Sequence, residues 1–505
     1  MRAMVWFRSD LRIRDNPALH HACRQADRGV VAVFAVCPAQ WQAHDWGTAR
    51  TDFVLRQAAE LSRELGARRI ALRIVVAPDF ADLPRRLLDL ARGNRCRSLW
   101  FNREYEVNES RRDAAVAALF EQHGLQVCAF HDQLALEPDA VLTASGGPYT
   151  VYTPFRRSWE RAFEESGGPE VLPAPRVRPQ MIGQPDTVPP VPAGLPGAAR
   201  PDLWPAGESA AGRRLEAFVE RRLTGYHASR DLPAEDGTSR LSPYLACGVL
   251  SVRQCLRAAL GVNQGRLTTG DRDVLTWIGE LIWREFYRHI LIRFPRVSMH
   301  RPFKLETDRL PWRDDERALA AWCQGRTGFP IVDAAMRQLA ETGWMHNRLR
   351  MITAMFLTKD LFIDWRRGEQ HFMRHLVDGD LASNNGGWQW SASTGTDAAP
   401  YFRMFNPVQQ SRRWDPEGTF IRRFVPELAD VPAAEIHDPP EATRRRVGYP
   451  MPIVDHAAAR AWVLSVFRPG SAAAPSGRRL EGSKSTRRSK RVGGSDGAAG
   501  SRPSS

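Results

Sequence analysis

The hydrophobic period changes once along this chain, and that change constrains the fold more than any other feature. Short apolar runs at residues 4–7, 30–36, 70–76, 98–101 and 126–130 alternate with amphipathic stretches such as 51–65 and 110–123. Runs of this length separated by helical patterns predict an α/β region with a doubly wound parallel sheet, because parallel strands need crossover helices. Ligands of such sheets bind at the carboxyl ends of the strands. No GxGxxG opens a helix here, which disfavours an ordinary NAD-binding turn. Residues 165–207 then gather Pro189, Pro190, Pro192, Pro196 and Pro205, a composition that excludes regular helix and central strand. From about 212 to 466 the pattern is helical, with strong segments at 273–292 and 331–364. The predicted division is 1–133 α/β, 134–211 connector, 212–467 all-α, and 468–505 a basic tail too poor in apolar residues to pack, hence disordered.

Composition narrows the function classes. No apolar run reaches the length of a membrane span, and Met1 to Phe7 lacks the long apolar region and cleavage site of a secretory signal. The seven cysteines form no CxxC pair, so neither a zinc site nor a disulfide framework is suggested, and a reducing cytoplasm fits best. The formal net charge is +14, and the segment after Phe467 carries nine Lys/Arg against only Glu481 and Asp496, so half of that charge lies there. A basic body is compatible with a polyanionic partner such as nucleic acid, although an arginine-rich proteome gives many enzymes a similar balance.

Specific motifs go further. Trp6-Phe7-Arg8-Ser9-Asp10-Leu11-Arg12 is followed by Asp15-Asn16-Pro17-Ala18-Leu19, and later by Tyr152-Thr153-Pro154-Phe155-Arg156-Arg157-Ser158-Trp159. Then come Thr238-Ser239-Arg240-Leu241-Ser242-Pro243-Tyr244-Leu245, Trp344-Met345-His346-Asn347-Arg348-Leu349-Arg350-Met351 and Asp378-Gly379-Asp380-Leu381-Ala382-Ser383-Asn384-Asn385-Gly386-Gly387-Trp388-Gln389-Trp390. In this order, over roughly residues 1–450, they resemble the photolyase/cryptochrome family, and within it the class I photolyases specific for cyclobutane pyrimidine dimers. The resemblance implies an N-terminal α/β domain for an antenna chromophore, a C-terminal helical domain holding FAD that is reduced when active, and UV-damaged DNA as partner. The expected protein is a monomeric, nucleoid-associated cytoplasmic enzyme. The alternative within the family is a cryptochrome-type light sensor that repairs nothing.

Splitting a pyrimidine dimer needs an electron that side chains cannot supply and an excited reduced flavin can. It also needs a pocket for a dimer flipped out of the duplex. Thr238, Ser239, Leu241 and Ser242 precede a predicted helix, and hydroxyls with backbone N–H groups there suit a pyrophosphate, or simply cap the helix. By resemblance Tyr226 and Arg240 lie near the phosphates, Trp277 and Arg284 along the cofactor, and Asp378 and Asp380 near its sugar and ring. Asn384 is expected near flavin N5, and Arg350 with Asp378 as an ion pair beside the isoalloxazine, which could equally be a structural salt bridge.

Glu280 and Trp283 are spaced i, i+3 and share a helix face. Trp283 offers a stacking surface and Glu280 a hydrogen-bonding group that, if buried among apolar rings, could donate as well as accept. Such a pair also occurs as ordinary surface beside core. Asn347 and Met351 are spaced i, i+4, and in the related 6-4 photolyases the matching positions look like two histidines. An amide and a thioether cannot replace those as proton donors, which favours the cyclobutane dimer. Resemblance assigns Trp390 to the dimer cavity and Trp388, Trp365 and Trp312 to an electron wire leading outward, although tryptophans also serve as core filler. Arg230, Arg348 and Arg403 are candidates for DNA contact. His44, Asn108 and Glu109 resemble a methenyltetrahydrofolate antenna site. Ser298-Met299 replaces the Cys-Lys of some folate-binding members, so a deazaflavin or an empty site stays open. No metal is expected.

Overall fold

The computed structural model describes residues 1–168 and 170–467, so the predicted tail at 468–505 lies outside the described residues. Five parallel strands, β1 (Ala3–Phe7), β2 (Val30–Val36), β3 (Ala71–Val76), β4 (Ser98–Asn102) and β5 (Gln126–Phe130), order as β3-β2-β1-β4-β5. β1 pairs with β2 from Ala3↔Val30 to Phe7↔Phe34 and with β4 from Ala3↔Ser98. The direction of winding therefore reverses between β1 and β4, and their carboxyl ends form the crevice where such sheets bind ligands.

Both faces of the sheet are covered, as its uninterrupted apolar strands require. Val5, Ala32 and Phe34 pack with Leu19, Phe53 and Leu61 on the Pro17–Gln25 and Thr48–Ala67 helices. Met4, Trp6, Val31 and Val33 pack with Leu83, Leu87, Val116 and Phe120 on the Leu83–Gly93 and Val107–Gln122 helices. Each fully buried large side chain contributes about 1.5–3 kcal/mol.

Between Glu165 and Glu208 the described residues form neither helix nor strand, as the prolines dictate. Residues 134–211 are nevertheless more than a connector. The Tyr152–Glu165 helix buries Tyr152, Phe155, Trp159 and Phe163, and the Trp159 Nε1–H donates to Glu285 Oε1 at 2.7 Å. Glu285 also accepts the Ala135 N–H at 2.9 Å, so this buried carboxylate ties the connector to the long helix Arg272–Arg293. Where β1 exits, Leu11 N–H donates to Cys247 O at 3.1 Å, and a Cβ on Gly248 would lie 2.1 Å from Ser9 O. Only glycine allows the two parts of the chain to meet that closely.

The 331–364 segment is not one helix. It divides into Pro330–Thr342, Asn347–Met355 and a π-helical turn at Phe356–Asp360. Gly343, left-handed at φ 68°, ends the first helix. The Asn384-Asn385-Gly386-Gly387 sequence, whose composition alone reads as a turn, lies inside the Leu381–Ala392 helix. A Cβ on Gly386 would strike the Tyr287 ring at 2.2 Å, so close helix packing explains a glycine that propensity disfavours.

Candidate functional site

Two helix starts and one loop surround Tyr226 and Arg240, the residues expected near phosphates. The Asp273 carboxylate accepts the Gly225 and His227 N–H groups, both at 2.7 Å, and so fixes the short Tyr226–Ser229 helix with Tyr226 buried. A Cβ on Gly237 would lie 2.7 Å from Ser229 Oγ, so glycine lets the 238–241 loop cross that helix. Arg240 sits at φ 49°, its guanidinium 5.3 Å from the Trp344 ring centroid. The Trp344 Nε1–H in turn donates to Ser242 Oγ at 3.3 Å. Asp236 approaches Arg240 at 3.2 Å, yet the Arg240 Nε–H is buried without a partner, and burial lowers the guanidinium's pKa. The helix at Ser242–Ala246 has only five residues, so its dipole offers an anion less than the sequence implied.

Arg284 is the stronger sign of an anionic ligand. It is half-buried between the helices and donates to two carbonyls, Gln133 O at 2.9 Å and Leu245 O at 3.2 Å, with Asp380 and Glu285 acting on it from further off. Burial and the neighbouring Arg288 push its pKa down to about 9. A partly buried guanidinium without a hydrogen-bonded carboxylate is costly unless a bound anion compensates it. Arg350 differs: it forks onto Asp378 at 2.8 and 3.0 Å, the expected ion pair. Asn384 is buried and donates its amide N–H to Glu369 O at 3.1 Å, which leaves its oxygen as the presented acceptor. Trp277 is buried against Phe218 at 4.9 Å. Asp380 accepts from Arg288 at 2.6 Å and from the Ser383 N–H at 3.2 Å, so both its oxygens already have protein partners.

One turn before Arg284 on the Arg272–Arg293 helix, Glu280 pairs with Arg230 at 2.8 Å and remains one-third exposed. The expectation of a carboxyl buried among apolar rings and free to donate is therefore not met. Arg348 pairs with Asp231 at 2.7 Å, so neighbouring residues 230 and 231 clamp two helices together. Both arginines, expected as free DNA contacts, are engaged by carboxylates, whereas Arg403 is exposed. Trp283 is stacked on Tyr152 at 3.6 Å and 6°, which leaves at most one of its faces for a base. Tyr152 and Trp414, the latter 4.5 Å from the Arg348 guanidinium, were absent from the predicted set. The Tyr152 motif was visible in the sequence; Trp414 carried no signal. Asn347 is exposed at the start of its helix, and Met351 lies half-buried one turn on, 4.0 Å from Arg348 Nη1.

Trp388 and Trp390 sit two apart on one helix, which sends their rings to opposite sides. Trp388 and Trp365 are buried in one apolar cluster, with Trp312 partly buried against it. The ring contacts of Trp388 are with Phe372 at 5.0 Å and Trp322 at 5.9 Å, and Trp312 meets Phe362 at 4.9 Å. Trp322 was not anticipated.

A cavity of about 370 Å³ opens at the carboxyl ends of the strands, between the sheet and the helical part. His44, Asn108 and Glu109 meet there: Asn108 Nδ2 lies 3.0 Å from His44 Nε2, and His44 Nδ1 lies 3.2 Å from Glu109. Arg50 lies 3.8 Å over the Trp46 ring, which stacks on Trp41. Burial beside Glu109 and Glu104 pushes the Glu106 carboxyl up to about 8. Ser298 and Met299 line the same cavity, and Met299 is 51% exposed. The size and mixed lining suit one small organic ligand.

Residues 3–177 match the family described as DNA photolyase, and residues 277–469 match the FAD binding domain of DNA photolyase. The chain is 46% identical over 470 residues to a deoxyribodipyrimidine photo-lyase of Salmonella typhimurium, covering 92% of this chain and 98% of that one. A bacterial class III photolyase structure from Agrobacterium tumefaciens superposes with a TM-score of 0.81 at 36% identity, covering 92% of this chain and 97% of that one. The structure of a Synechocystis cryptochrome also reaches 0.81, at 27% identity, covering 92% and 99%. Among the described residues no helix is long and apolar enough to cross a membrane.

Proposed function

Because this chain belongs to the DNA photolyase family, we propose that it is a light-driven lyase that splits cyclobutane pyrimidine dimers in DNA. The observation that carries this is the placement of Glu280, Trp283 and Arg284 within little more than one turn of a single helix. Trp283 stacks on Tyr152 and Glu280 pairs with Arg230, while Arg284 donates its hydrogen bonds to carbonyls. A substrate site and an anion-seeking cradle thus share one rigid element, the arrangement a short electron transfer needs.

FAD fits the cradle. Arg240 and Arg284, with Thr238, Ser239, Leu241, Ser242 and Tyr226, would hold the phosphates and ribityl chain, and Trp277, Arg350, Asp378 and Asp380 would surround the ring and sugar. Bound in reduced form, FAD supplies the electron that breaks the cyclobutane ring. The protein's tasks are positional. The Asn384 oxygen, left as an acceptor by the bond from its amide to Glu369 O, would serve the flavin N5 without adding charge. Trp283 and Trp390 hold the flipped bases, and Met351 and Asn347 line the opposite wall. Glu280, released from Arg230 or sharing it, accepts a hydrogen bond from the pyrimidine edge. Arg230, Arg348 and Arg403 steer the DNA backbone, so affinity falls as salt rises. Trp388, Trp365 and Trp312 pass electrons inward when the flavin must first be reduced.

The His44, Asn108 and Glu109 cluster supports methenyltetrahydrofolate as antenna, with a deazaflavin as the alternative. The protein works on DNA as a monomer, associated with the nucleoid. Against a sensor without repair stand the relatives of Salmonella typhimurium, Escherichia coli and Vibrio cholerae, each named a deoxyribodipyrimidine photo-lyase, and the combined set of Glu280, Trp283 and Met351. Chromatography of irradiated oligonucleotides containing each lesion decides it. Light should restore the cyclobutane dimer and leave the 6-4 photoproduct, and restoration of the 6-4 lesion alone would reverse the assignment.

A further inference from the structure

We infer that Trp462, on the helix His456–Val466, is the outermost electron donor of this protein, one step beyond Trp312. This rests on the inward electron route proposed above. The Trp312 indole is half-buried, and its Nε1–H is enclosed without a hydrogen-bond partner. An oxidised indole is trapped when it loses that proton; with no acceptor in reach, a hole on Trp312 returns inward instead. The structure continues past it. The Trp312 ring meets Phe362 at 4.9 Å, and Phe362 meets Trp462 edge-on at 6.4 Å. The two indole centroids are thus no further apart than these two steps laid end to end.

The geometry is held from several sides. The Arg313 N–H donates to Phe362 O at 2.8 Å, which fixes the residue after Trp312 to the ring between the two indoles. His456 Nδ1 lies 2.6 Å from Asp360 Oδ1 and anchors the outer helix onto the π-helical turn. The Asp455 side chain caps that helix at the Ala458 N–H, 2.8 Å away. Trp462 is 38% exposed, a large aromatic left at the surface where packing alone would favour its burial.

The step balances as follows. Oxidised Trp312 takes one electron from the Trp462 indole and is restored. The Trp462 radical cation gives its Nε1 proton to water and remains as a neutral radical. An external thiol returns the electron and proton. The Arg313 guanidinium, 5.5 Å from the Trp462 ring centroid, disfavours the cation and so drives that proton loss. Phe362 is too hard to oxidise to hold the hole, and serves only as the medium between the indoles.

The test uses the full chain with oxidised FAD bound and follows tryptophanyl radicals by transient absorption after a blue flash, with a dye reporting proton release. In Trp462→Phe the first charge separation should be unchanged, while the yield of long-lived neutral radical and released proton falls by on the order of tenfold. Trp462→Tyr, which can still be oxidised and lose a proton, should restore much of it and change the spectrum to that of a tyrosyl radical. Bound FAD per chain and circular dichroism establish that each variant is folded. Unaltered radical yield and proton release in Trp462→Phe would overturn the inference. Trp312→Phe separates the two ideas: if that variant keeps the parent's long-lived yield, the inward route itself is wrong.

Discussion

The arginines buried around the sheet and the two expected at the flavin, Arg240 and Arg284, are satisfied in different ways, whereas elsewhere in the helical part Arg288 and Arg350 pair with Asp380 and Asp378. Around the sheet, buried cations have carboxylates. Arg12 pairs with Asp132, Arg8 with Asp113 at 3.1 Å, Arg112 with Glu104 at 2.7 Å, and Arg253 reaches both Asp15 at 2.9 Å and Asp132 at 2.7 Å. In the helical part Arg284 bonds only carbonyls, and Arg240 keeps an unpaired Nε–H. Arg50, belonging to the α/β part, lines the interdomain cavity over Trp46, half-buried and with Asp380, Glu106, Glu109 and Glu104 as its surrounding carboxylates. Charge paired within the chain holds the fold, and we propose that guanidinium groups whose hydrogen bonds go to carbonyls or stay unmade are where an anionic cofactor binds.

The largest effects should come from breaking the neutralised network. Arg12→Met leaves Asp132, beside Asp10, with Arg253 as its remaining arginine partner and should cost about 3 kcal/mol in chemical denaturation, with or without FAD. Arg284→Met should do the reverse. It removes a partly desolvated charge whose hydrogen bonds go to carbonyls, so the flavin-free protein should melt no lower than the parent while FAD affinity falls by on the order of tenfold to a hundredfold. Equilibrium dialysis with FAD and calorimetry of the flavin-free form measure the two sides, and equal loss in both would erase the contrast.

Next in size is Trp312→Phe. Photoreduction of oxidised flavin should slow by about tenfold or more, since phenyl is far harder to oxidise than indole, while pre-reduced enzyme repairs dimers almost as well as the parent. Glu280→Ala should lower dimer splitting per absorbed photon several-fold more than it lowers dark DNA affinity, because its hydrogen bond matters most once the base carries an extra electron. Unchanged yield with binding lost would make Glu280 a docking contact. The smallest effect concerns Glu106. Its carboxyl is raised to about 8 from an ordinary 4.5 by burial and by Glu109, so in that window the folded chain holds a proton that the unfolded chain has released. Stability should therefore fall as pH rises from about 4.5 to about 8, and Glu106→Gln should flatten that slope by roughly a few degrees of melting temperature.

Much of this was legible beforehand. Periodicity alone located all five strands, because parallel strands buried on both faces must be short and apolar throughout. It did not see the break at Gly343, where apolar residues continue on either side of a left-handed cap and mimic one helix. Nor did it see that Gly386 belongs inside a helix, since its reason, the Tyr287 ring, comes from a distant element. The site residues were named by resemblance, and the structure brings Arg350 to Asp378 and His44 to Asn108 and Glu109. What the sequence concealed was partnership. Arg230 with Glu280 and Arg348 with Asp231 join residues 50 and 117 positions apart, and only the folded chain shows that these cations are not free.

The central claim is that an anionic flavin completes the cradle around Arg284 and delivers an electron to a dimer lying against Trp283. Single-turnover dimer loss tests it most directly, with flavin chemically reduced beforehand and a thymine-dimer oligonucleotide bound in the dark before one saturating flash. Dimers should disappear in proportion to bound reduced flavin in the parent. Arg284→Met refilled to the same flavin content should repair nearly as well per flavin, because that residue holds the cofactor and does not touch the dimer. Parent protein carrying a full complement of reduced flavin, with dimer bound and none lost after the flash, would contradict the claim.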